Sequence, residues 1–143
     1  MSRSFLTVFL LACAGATDTS TVPADTDEPG VQCGDPVVYD IEIVAAAQHG
    51  KAPAAAIEIA LDDRGYTGDI LGSGTTSADG KVTFTAVGVT ALDGCWGTLL
   101  NYVLVGTDPA DGTEVEDDMN AELYNAIDDG SLVADVTAFP LTF

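Results

Sequence analysis

Val37-Val38-Tyr39-Asp40-Ile41-Glu42-Ile43-Val44-Ala45-Ala46 puts Tyr39, Ile41 and Ile43 on one side of an extended chain and Asp40 and Glu42 on the other. A period of two sends alternate side chains to opposite faces, so this stretch predicts a strand with one face in a core and one in water. The same pattern returns in Ala54 to Leu61, with Ile57, Ile59 and Leu61 inward, and in Lys81 to Val87, with Val82, Phe84 and Ala86 on one side. Turn signals separate the runs: Gln48 to Pro53 as a loop, Asp62-Asp63-Arg64-Gly65 as a turn, and Asp79-Gly80 as the strongest hairpin signal. Asp and Gly both tolerate the positive backbone angle of a tight turn. Weaker strands are expected at Gly68 to Thr76, Leu99 to Gly106 and Ser131 to Phe143, where Pro140 suggests an edge or a bulge. Many short strands between turns indicate an all-β domain.

One segment departs from the period. Between Glu116 and Ile127, Met119, Leu123 and Ile127 recur every fourth residue, Asp117 and Asp118 stand at the start, and Gly130 lies just beyond. Acids favour a helix start and glycine a helix end, so one short inserted helix is expected. An irregular strand is the alternative.

Ala54-Ala55-Ala56-Ile57-Glu58-Ile59-Ala60-Leu61, followed by Gly74-Thr75-Thr76-Ser77-Ala78-Asp79-Gly80-Lys81-Val82-Thr83-Phe84, resembles the carboxypeptidase regulatory-like and transthyretin-like β-sandwiches. The resemblance covers about 30 residues well. It implies a Greek-key β-sandwich of about seven strands, used as an accessory or binding module. Enzymes of the transthyretin family, and dioxygenases on a related sandwich, rely on several histidines; this chain has only His49.

The first residues read differently. Met1-Ser2-Arg3-Ser4 precedes an apolar run from Phe5 to Leu11, and Ala12-Cys13 is followed at once by small and polar residues. A basic start, a short apolar run and a small residue before a cut make an export signal. The run is far short of the roughly 20 residues a spanning helix needs. Leu10-Leu11-Ala12-Cys13 resembles the lipobox of bacterial lipoproteins, with Leu11 where that family carries Ala or Ser. The resemblance implies removal of residues 1–12, a diacylglyceryl group on Cys13 and a membrane attachment through that lipid. One acyl chain binds a bilayer only marginally, whereas two or three anchor stably. Ala14, in place of the aspartate that retains enteric lipoproteins at the inner membrane, implies an outer-membrane location in the bacterial envelope. An ordinary secretory signal with an incidental cysteine is the rival reading.

Residues 13–36, rich in Thr, Asp, Ser, Pro and Gly, read as the lipidated cysteine and an acidic disordered tether, and 37–143 as the sandwich domain. As a flexible coil the tether would reach roughly 25 Å. The net charge of the chain is −19; residues 1–12 hold Arg3 and no acid, so 3 basic against 23 acidic side chains remain, or −20. This charge repels phosphate backbones and excludes nucleic acid as a partner. With Cys13 assigned to lipid, Cys33 and Cys95 are left as an even pair in an oxidising compartment, where a disulfide is expected. Its closed loop of about 62 residues implies roughly 4 kcal/mol of stabilisation on chain-entropy grounds.

Catalytic motifs fail. Gly72-Ser73-Gly74 lacks the spacing of a nucleophile elbow. One histidine and two non-lipid cysteines make a poor zinc set. The densest candidate is the acidic stretch Asp108, Asp111, Glu114, Glu116, Asp117 and Asp118. Calcium wants six to eight oxygens, but EF-hand spacing is absent. These acids predict a surface for a basic protein partner, or a calcium site as the alternative. The expectation is therefore a lipid-anchored envelope β-sandwich, non-enzymatic and without a cofactor, acting as a binding or structural module. A small envelope hydrolase using carboxylates and a calcium-dependent adhesion module are the alternatives.

Overall fold

The alternation at residue 37 opens the first and longest strand of a computed structural model that describes residues 33–65, 67–92 and 101–143. Strand β1 runs Pro36–His49, with Ile41, Ile43, Ala45 and Ala47 buried and Asp40 and Glu42 exposed. After a turn at Gly50, β2 (Ala52–Pro53) doubles back on Gln48 and His49. Strand β3 (Glu58–Asp63) buries Ile59, Leu61 and Asp63 and pairs with β4 (Ile70–Thr75). Strand β5 (Lys81–Leu92) crosses to the first sheet and lies antiparallel to β1. Strands β6 (Tyr102–Thr107) and β7 (Glu114–Asp118) return to the second sheet. Helix α1 (Asn120–Asp128) follows, and then β8 (Val133–Asp135) and β9 (Leu141–Thr142) pair in parallel with β1.

Two sheets result, one of five strands centred on β1 and one of four in the order β4-β3-β6-β7. The expected all-β sandwich with one short helix is what forms, in nine strands rather than about seven because β2 and β9 are two-residue strands. Strand β5 reaches β1 only after the β3–β4 hairpin, the non-sequential return of a Greek-key path. The inner faces meet in one core containing Ile41, Ile43, Ile59, Leu61, Phe84 and Leu104.

Several sequence expectations shift in detail. Asp79-Gly80 does not close a hairpin: the turn carries the chain from β4 in one sheet to β5 in the other. Close approach explains why β4 can lie there, since a Cβ on Gly72 would sit 2.4 Å from the Thr85 carbonyl oxygen of β5. Ala54 to Ile57 is not yet strand; the Thr76 hydroxyl accepts from the Ile57 N–H at 3.0 Å and donates to the Ala54 carbonyl at 2.7 Å, tying this segment down. The helix begins at Asn120, so Asp117 and Asp118 belong to β7, although Met119 and Leu123 are fully buried as the fourfold spacing predicts. Gly130 does lie just past its end, with a φ of 72°. Residues 131–143 form two short strands with a turn before Pro140. Cys13, Cys95, the tether up to residue 32, and Leu99 and Leu100 of the expected fifth run lie outside the described residues.

Candidate binding surface

The second sheet turns one face to the core and the other to solvent, and strand register decides which acids meet there. Glu58 of β3 pairs with Thr107 of β6, which pairs with Glu114 of β7. The next same-face rows are Ala60–Val105–Glu116 and Asp62–Val103–Asp118. The outer face thus carries a neutral stripe of Thr107, Val105 and Val103 between a column of two acids and a column of three. A groove of about 560 Å3 runs over this face, lined by Glu58, Asp62, Arg64, Glu114 and Glu116 among others.

Among the described residues, Arg64 is the one cation on the face. Its Nε bonds the Asp62 carboxylate at 3.1 Å, Nη1 bonds Glu116 Oε2 at 2.9 Å, and Nη2 bonds Glu116 Oε1. The guanidinium holds the Glu116 carboxyl below its usual value, chiefly through these hydrogen bonds. Its position follows from the turn after β3: buried Asp63 accepts from the N–H groups of Gly65 and Thr67 and from the Thr67 hydroxyl, which bends the chain back over the sheet.

The expected acidic loop therefore does not act as one ring of ligands. Asp108 is nearly buried and faces Nε2 of His49 at 3.2 Å. Asp111 accepts from the Thr113 N–H, which lowers its pKa. Asp118 accepts from the backbone and side-chain nitrogens of Asn120. Asp117 lies on the opposite face of β7 from Glu114, Glu116 and Asp118. Among the described residues, no three His, Cys, Asp or Glu side chains gather as a metal site. Asp79, Asp111, Glu116, Asp129 and Asp135 are each held below the ordinary carboxylate value, chiefly by hydrogen bonds.

Glu58, Asp62 and Arg64 were not singled out as site residues by their sequence. The alternation of β3 marks Glu58 and Asp62 as outward, but only pairing through β6 brings them opposite the acids of β7. The exposed Phe139, 74 % accessible beside β7, likewise carries no sequence signal. Cys33 is exposed ahead of β1; Cys95, its expected partner, lies outside the described residues. No protein-family model matches this chain, and neither does any curated protein or solved structure.

Proposed function

We propose that this chain is a lipid-anchored, non-enzymatic module of the bacterial envelope whose acidic outer sheet face binds a partner bearing basic side chains. The observation that carries the binding role is the register-aligned set Glu58, Asp62, Glu114, Glu116 and Asp118, answered on that face, among the described residues, by Arg64 alone. Acid-lined clefts concentrate oppositely charged partners and speed their encounter. The anchoring rests on the likeness of Leu10-Leu11-Ala12-Cys13 to a lipobox and on the acidic tether after it.

A Cys33–Cys95 disulfide belongs to the same proposal. It rests on Cys33 and Cys95 being the even pair left once Cys13 is assigned to lipid; Cys95 lies outside the described residues.

The test has two arms. Cys13→Ser should move the protein from the membrane to the soluble fraction; an unchanged membrane fraction contradicts the anchor. Immobilised domain should capture basic envelope proteins at about 0.02 M salt and release them at about 0.5 M. A Glu58→Gln, Glu114→Gln, Glu116→Gln, Asp118→Asn variant should lose that capture. Capture that survives both salt and charge removal contradicts the binding face.

A further inference from the structure

Strand β7 ends the second sheet, and among the described residues half of its main-chain groups are not used in a ladder. The Met119 N–H donates to the Tyr102 carbonyl at 3.0 Å and the Asp108 N–H to the Thr113 carbonyl at 2.9 Å. With the register of β6 and β7, these bonds place residues 113, 115, 117 and 119 at hydrogen-bonded positions. Bonded and non-bonded pairs alternate in an antiparallel ladder. Glu114, Glu116 and Asp118 therefore point their N–H and C=O groups away from β6. No other described strand pairs with β7.

A groove of about 720 Å3 runs along this edge. Its near side is Val115, Glu116, Asp117 and Asp118 in succession. Successive strand residues face opposite sides of a sheet, so a groove touching all four follows the strand edge. The far side carries the apolar Val136, Phe139 and Leu141, with Gln48, Glu122 and Thr142 also lining the groove. Phe139 is the most exposed large hydrophobic side chain of the described residues.

We propose that β7 is a docking edge onto which a partner protein adds an extended segment of alternating basic and apolar side chains. This rests on the reading of the chain as a binding module for a basic partner, and it specifies where and in what conformation that partner binds. Strand addition supplies main-chain hydrogen bonds, and alternate side chains supply specificity. Basic residues would face Glu114, Glu116 and Asp118 on the outer side, while apolar ones would cover Val115 and Phe139 on the inner side. Charge decides the occupant. A second copy of this chain would set like charges directly across the new pair, which is destabilising; charged edges are one means by which proteins resist self-pairing. A basic strand reverses that sign.

The probe is a capped six-residue peptide alternating lysine and valine, titrated into the domain at low salt and followed by backbone amide NMR, with a glutamate–valine peptide as control. Saturable shifts should appear at residues 114–118 and 136–142 with the lysine peptide only. Glu116→Pro removes one outward N–H and leaves the β6 ladder intact, because proline is tolerated where a strand N–H faces outward. It should weaken binding about tenfold, against about threefold for Glu116→Gln, which removes charge alone. Phe139→Ser, at an exposed position, should also weaken binding severalfold. Equal affinity of a folded Glu116→Pro variant, or shifts confined to the outer face around Glu58, Asp62 and Val103, overturns the docking edge. The second of these outcomes leaves the acidic-face function standing. Self-association broken by Glu116→Pro would assign the edge to a second copy and also overturns the proposal. Should the proline variant not fold, unchanged affinity in Phe139→Ser overturns it. Absence of saturable binding by the lysine peptide contradicts both the edge and the acidic-face reading.

Discussion

At the scale of single residues, the buried polar groups fix the packing most sharply. Tyr102 is fully buried, and its hydroxyl accepts from the Thr90 N–H at 2.8 Å and donates to the Thr90 carbonyl at 3.1 Å. This one side chain ties β6 of the second sheet to β5 of the first. Burial also raises its pKa, with the Thr90 contacts pulling the other way. Tyr102→Phe keeps the ring but strands two main-chain groups of a nearly buried residue, so it should cost about 1–3 kcal/mol. Urea unfolding should show a lower midpoint at unchanged slope; an unchanged midpoint contradicts the clamp. Which residues fill the core was legible in the sequence, because Ile41, Ile43, Ile59 and Leu61 follow the period of two and are all fully buried. The Tyr102 bond was not, because its partner lies across the sandwich in a strand that sequence alone does not place.

Elements depart from their sequence pattern where neighbours in space outweigh neighbours in the chain. Val82, Phe84 and Ala86 point inward at even spacing, yet Val89 is also buried while Val87 is 58 % exposed. A bulge re-phases the strand: Tyr39 faces Val89 but Ile41 faces Ala86, so β5 carries an extra residue there. Gly88 takes that position with a φ of 88°, and its N–H donates to the Asp40 carboxylate at 3.2 Å. A Cβ there would meet no other heavy atom within 4 Å, so Gly88→Ala isolates backbone strain and should cost about 1–2 kcal/mol. Val87→Ala, at an exposed neighbour, should be near neutral; equal effects at both positions contradict the bulge. The same logic explains the acidic stretch. Read along the chain, Asp117 and Asp118 resemble a helix start, but pairing with Leu104 and Val103 draws them into β7. The outer acidic face was half legible, since alternation predicts which side chains face water but not which strands lie side by side.

Over the whole molecule, net charge sets the response to salt and acid. A chain at −19 repels itself when compact. Raising salt from about 0.05 to 0.5 M at neutral pH should therefore raise the melting midpoint; a fall would mean that attractive contacts such as Arg64–Glu116 dominate instead. Acid acts locally. Asp79 is held below its ordinary pKa by the Ser77 hydroxyl, Asp111 by the Thr113 N–H and Glu116 by the Arg64 guanidinium. The Ser131 N–H lowers Asp129, and the Thr137 hydroxyl lowers Asp135. Groups depressed on folding contribute stability that is complete above the unfolded carboxylate value of about 4 and is lost as pH falls through the folded value. The melting midpoint should drop between about pH 4 and pH 2, and a flat profile there contradicts these bonds. The central claim, an exported sandwich held to a membrane by lipid on Cys13 and closed by a Cys33–Cys95 bridge, is tested most directly by the intact mass of protein extracted from membranes. The predicted mass lacks residues 1–12, carries the added acyl groups on Cys13 and is two hydrogens lighter than the fully reduced chain. A mass that retains Met1, or begins elsewhere with an unmodified Cys13, contradicts the account.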